Sequence, residues 1–173
     1  MIAAAIVCAA ALAQASAFKW NTSTGLVKAG TTETMASGVT AYVFDITGSS
    51  LSALFADVKA GDFSKALDSY ATDSAGKIAA REVTYDVGTY DFALVAVDGD
   101  NFFISNALTS KKVTTMSPVN VPFGLKSQSN SGTIMNAADG YKGNGWYQTV
   151  PEPTSGLLLL LGVAGLALKR KRA

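Results

Sequence analysis

A chain of 173 residues with 14 Lys and Arg against 13 Asp and Glu has room for one buried core and not for a multidomain enzyme. It has no histidine and one cysteine, Cys8, which excludes Ser-His-Asp and Cys-His nucleophile systems, His-based zinc sites and an intrachain disulfide. Residues 18–150 carry ten basic and twelve acidic side chains without a basic stripe, so nucleic-acid binding has no electrostatic support.

Residues 1–17 read "MIAAAIVCAAALAQASA", an apolar run followed by small residues, which is the profile of an export signal peptide. Two A-x-A cleavage patterns close the run, Ala13-Gln14-Ala15 and Ala15-Ser16-Ala17. The second is preferred because Phe18 begins ordinary domain composition, so Ala15 and Ala17 are the expected cleavage positions. The one departure is that no basic residue precedes Lys19. Val7 before Cys8 is too large for a lipoprotein site. Asn21-Thr22-Ser23 fits a glycosylation pattern but carries little information.

Within residues 18–149, the run "VTAYVFDI" at 39–46 is β-branched and aromatic, and Gly48-Ser49-Ser50 ends it. Leu51, Leu54, Phe55 and Val58 fall at i, i+3, i+4 and i+7, and Phe63, Ala66, Leu67 and Tyr70 repeat that spacing. One or two short helices are expected there, capped by Ser50 and Asp62. Residues 82–87 alternate, with Val83, Tyr85 and Val87 on one face. "YDFALVAV" at 90–97 is apolar on both faces and suits a central strand. Asp98-Gly99 then signals a two-residue hairpin into "NFFIS". Strands are also expected at 112–116 and 145–150, and residues 117–145 read as a long loop with one short strand. The fold class is mainly β: an antiparallel β-sandwich with one or two short helices, flanked by the signal peptide and a C-terminal apolar helix.

Candidate sites in this domain are few. Asp98, Asp100 and Asn101 cluster as calcium ligands can, but the hairpin accounts for them and the EF-hand spacing is absent. Ser74-Ala75-Gly76-Lys77 fits S-x-x-K, as does Ser16-Ala17-Phe18-Lys19, without the companion motifs of lysine-activated serines. Tyr141, Trp146 and Tyr147 in "GYKGNGWYQ" could form an aromatic platform for a sugar, with Gly143 and Gly145 admitting a ligand to the backbone. A hydrolase using acidic residues such as Asp86 and Asp91 has no carboxylate pair marked out by its surroundings. No catalytic residue, metal or cofactor is expected.

The chain closes on "VPEPTSGLLLLLGVAGLALKRKRA". Val150, Pro151, Glu152 and Pro153 should stay extended, since the prolines fix φ and remove backbone donors. Fifteen uncharged residues follow at 154–168, about 22 Å as a helix against roughly 30 Å of bilayer core. Lys169, Arg170, Lys171 and Arg172 would stop on the cytoplasmic side and leave the domain outside.

This three-part ending, residues 150–173, resembles the bacterial PEP-CTERM sorting signal. The resemblance implies processing near the Pro-Glu-Pro by an exosortase-type membrane protease, after Sec-type export and a transient or permanent membrane stage. It also implies delivery to the cell surface or extracellular matrix. The expected function is that of a non-enzymatic surface or matrix protein; the alternative is a small carbohydrate-binding module on extracellular polysaccharide.

Overall fold

Runs of β-branched and aromatic residues pair into two sheets in a computed structural model, which describes residues 16–28, 31, 33–34, 37–124, 140–143 and 145–148. In chain order the elements are β1 (Ala17–Thr22), β2 (Thr40–Asp45), α1 (Leu51–Lys59), β3 (Ala66–Ala71), β4 (Arg81–Thr84) and β5 (Gly88–Asp98). They continue with β6 (Asn101–Ile104), β7 (Leu108–Val113), β8 (Val119–Phe123), β9 (Tyr141–Gly143) and β10 (Trp146–Gln148). The smaller sheet has the order β4-β1-β8, with β1 antiparallel to β4 and parallel to β8. The larger runs β3-β2-β5-β6-β10-β9, with β7 also on β5, and its pairs are antiparallel.

The apolar run of β5 organises both cores, because neighbouring residues of a strand point to opposite faces. Phe92, Leu94 and Ala96 join Phe18, Trp20, Val121 and Phe123 of the smaller sheet. Ala93 and Val95 join Phe102, Ile104 and Tyr147, covered by Leu54, Phe55 and Val58 of α1. A strand without a polar face needs cover on both sides, and the molecule supplies a sheet on one and a helix on the other. The mainly β expectation is therefore met by two sheets and one helix, though the smaller sheet is not wholly antiparallel, since β1 and β8 run parallel.

Local signals set α1 and the β5–β6 hairpin. The Ser50 hydroxyl accepts the Ala53 amide at 3.1 Å, capping α1 as expected. Asp98 pairs with Asn101 across a two-residue turn, and Gly99 takes the left-handed φ of 56° that such a turn demands.

Four expectations are corrected. The second helical pattern, at 63–70, forms β3 at the edge of β2 instead, with Thr40 opposite Ala71 and Val43 opposite Asp68. Backbone groups of β2 need a partner, and Asp68 ties this edge to the other sheet: its Oδ2 accepts the Trp20 indole at 2.9 Å and meets Arg81 at 3.4 Å. Asp62 accordingly caps a turn, accepting the Ser64 amide at 2.9 Å. Next, the strand expected at 112–116 lies earlier, as β7, because its register follows Gly88 to Phe92 of β5 and ends with Val113 buried; Met116 is 91% exposed. Val87 does not share the inward face of Val83 and Tyr85, since β4 ends at Thr84 and Val87 is 58% exposed. Finally, the described residues of 117–145 hold two strands, β8 and β9.

β1 is an element that was not expected from the sequence. Its alternation places Phe18, Trp20 and Thr22 inward, all buried, with Lys19 and Asn21 half-buried on the other face.

Candidate functional site

The aromatic platform is a correction. Trp146 and Tyr147 are adjacent on β10 and so face opposite ways: Trp146 lies in the cluster between the sheets, and Tyr147 in the cluster beneath α1. Both are 0% exposed. The Trp146 indole donates to the Val27 carbonyl at 2.7 Å, and the Tyr147 ring packs on Phe55, Phe102 and Tyr141 with centroids 4.8, 5.5 and 5.3 Å apart. Gly145 serves the same packing: at its φ of 82°, an added Cβ would lie 2.7 Å from the Phe103 ring. Trp146 and Tyr147 carry the core and offer a sugar no exposed face, which leaves the half-buried Tyr141 without the partners a platform needs.

The oxygen-rich turn at Asp98, Asp100 and Asn101 is the exposed β5–β6 hairpin. Among the described residues no three His, Cys, Asp or Glu side chains converge as metal donors.

The two S-x-x-K matches end differently. The Ser16 hydroxyl donates to the Tyr85 carbonyl, while Lys19 pairs with Glu82 at 3.4 Å. Ser74 and Lys77 lie in a turn organised by Asp73, whose Oδ1 accepts the amides of Ala75 at 2.8 Å and Lys77 at 2.9 Å. Both face solvent, without the desolvated pocket that turns a lysine into a base.

That turn does form one wall of an open cleft of about 490 Å³, whose other wall is the chain after β1, with Ser23, Thr24, Gly25, Val27 and Thr34. The walls are fixed to one another. Leu26 donates its amide to Gly76 at 2.9 Å, the Ile78 amide reaches the Thr22 hydroxyl at 2.8 Å, and a Cβ on Gly25 would come within 2.2 Å of the Ala75 carbonyl. Its donors are hydroxyls and one ammonium, about fifty positions apart in sequence, so no contiguous signal could have shown it.

Of the acidic candidates, Asp91 does structural work, as does the neighbouring Asp45. Asp91 Oδ1 accepts the Ser110 amide at 2.8 Å, and holds Ser110 at a left-handed φ of 56° where β7 departs from regular pairing. Asp45 accepts the Tyr85 hydroxyl through Oδ2 at 2.6 Å and the Thr47 amide through Oδ1 at 2.8 Å. Asp86 is exposed.

Tyr85 also packs edge-on against Phe18 at 5.7 Å and Tyr90 at 4.8 Å. Burial first, then the bond to Asp45, raises its pKa well above the ordinary phenol value. A raised pKa in the folded state means that the contribution is full below about pH 10, the unfolded value, and is lost as pH climbs toward the folded one. Thermal melts on the alkaline side should therefore fall more steeply for the native chain than for Tyr85→Phe, which at neutral pH costs about 1 kcal/mol. Equal alkaline slopes in the two chains would contradict this.

At the chain ends, Ala17 is 6% exposed as the first residue of β1. Ala15 and the rest of the expected signal peptide lie outside the described residues, as do Val150, Pro151, Glu152, Pro153, the apolar run, and Lys169, Arg170, Lys171 and Arg172. Among the described residues no helix is long and apolar enough to cross a membrane.

Residues 149–172, which follow directly on the last residue of β10, match the PEP-CTERM protein-sorting motif. That motif implies an exported, membrane-passing precursor processed by an exosortase. No curated protein and no solved structure matches the chain.

Proposed function

We propose that this chain is the precursor of a non-enzymatic cell-surface or extracellular-matrix protein, exported through its N-terminal signal and sorted through its PEP-CTERM motif. The observation that carries the reading is the motif at 149–172, which begins one residue after the last described strand, ending at Gln148. The domain acts by being displayed. What its side chains already do supports this reading: Asp45, Asp73 and Asp91 hold backbone amides, and Trp146 and Tyr147 fill the cores.

The second reading, a carbohydrate-binding module on extracellular polysaccharide, keeps one observation in its favour, the hydroxyl-lined cleft with Lys77. One pair of measurements tests both. Protease shaving of intact native cells should release the domain, and a glycan array should show no sugar retained. Recovery of the chain only from the cytosol would overturn the surface reading. Sugar binding abolished by Lys77→Ala with an unchanged melt would favour the second.

A further inference from the structure

We infer that the signal peptide is removed between Ala15 and Ser16, so that the exported protein begins at Ser16 and not at Phe18. The inference rests on the export reading above and decides what the sequence leaves open, since both bonds follow an A-x-A pattern.

The fold uses the two residues that the later cut would discard. Ser16 continues the ladder between β1 and the segment after β4: its carbonyl accepts the Tyr85 amide at 2.9 Å, and its hydroxyl donates to the Tyr85 carbonyl. Ala17 is buried and stands opposite Thr84. A cut after Ala17 would remove both Ser16 bonds and leave the Tyr85 amide without that acceptor.

The new terminus would also be badly placed. β1 is the middle strand of its sheet, and Phe18 is 0% exposed, between Val83 on one side and Val119 on the other. Phe18 stacks on Phe92 at 4.5 Å. Hydrolysis adds water across the peptide bond, leaving a carboxylate on the released peptide and an ammonium on the mature chain. After Ala17 that ammonium would sit on a residue of the core, where charge is costly to hold. After Ala15 it falls on Ser16, which is half-buried and outside the strand.

The full chain in its native host tests this by N-terminal sequencing of the exported protein, expected to begin at Ser16. Two variants separate the bonds. Ala13→Leu spoils only the first pattern, and exported product should be lost or reduced to a minor, heat-labile form beginning at Phe18, melting roughly 5–10 °C lower. Ala17→Val spoils only the second, and the terminus should remain Ser16. A native protein beginning at Phe18, or an Ala13→Leu product beginning there with undiminished yield and an unchanged melt, would overturn the inference. Uncut chain confined to the cytosol would overturn the export reading and this one with it.

Discussion

Replacing Trp146 by alanine is expected to lower the thermal midpoint of the domain by roughly 10–20 °C, the largest loss from any single side chain considered. The ring is 0% exposed and lies in the cluster that joins the two sheets, 5.8 Å from the Phe103 ring. Emptying a site of that size costs about 3–5 kcal/mol. The substitution also takes the indole donor from the Val27 carbonyl, which it reaches at 2.7 Å across 119 positions of sequence. An acceptor left unpaired in a buried place adds about 1–3 kcal/mol. Trp146→Phe separates the two effects, since it keeps most of the volume and loses only the donor, and should cost the smaller part. Circular-dichroism melts measure both. A shift under about 3 °C for the alanine variant would show that the Trp146 ring does not hold the core together. Because this residue holds the fold, its alanine variant cannot serve as a test of sugar binding.

The second large effect is expected at the tail. In the native host, mass spectrometry should find a mature chain ending near residues 150–153, without Lys169, Arg170, Lys171 and Arg172. In a bacterium lacking an exosortase the same chain should stay full length and membrane-associated, because about fifteen uncharged residues hold it weakly and four charges resist crossing. Replacing those four by uncharged residues should loosen the hold. Replacing Glu152 should impair processing more than retention. Folding limits where the cut can fall: Gln148 donates its amide to Gly140 at 2.9 Å, and five further residues to Pro153 reach at most about 17 Å. A protease at the membrane therefore works close against the folded domain, and a cut before Gly145 would strip β10 from the core. A native surface protein that still ends in Ala173 would reject processing and leave a permanently anchored one.

How much was legible in the sequence follows from where each signal acts. The PEP-CTERM pattern at 149–172, like the export profile expected of residues 1–17, is carried by one contiguous stretch of sequence. The Ser50 cap and the Asp98-Gly99 turn close within a few residues, and β5 declares itself by having no polar face. For such features the chain itself holds every interacting group.

Tertiary structure decided the rest. The spacing of Phe63, Ala66, Leu67 and Tyr70 is helical on paper, but the unpaired edge of β2 and the carboxylate of Asp68 beneath Trp20 made it a strand. Tyr141, Trp146 and Tyr147 read as one aromatic patch, yet a strand turns consecutive side chains to opposite faces, and each face here meets a different core. The cleft between Ser23 and Lys77 exists only because Gly25 lets two distant loops touch. Likewise, the pairing of Ser16 with Tyr85 joins residues far apart along the chain. Sequence alone was enough to show the sorting motif at 149–172, because sorting signals are local. The fold alone determined which residues are free to act, because burial is a property of partners brought together from across the chain.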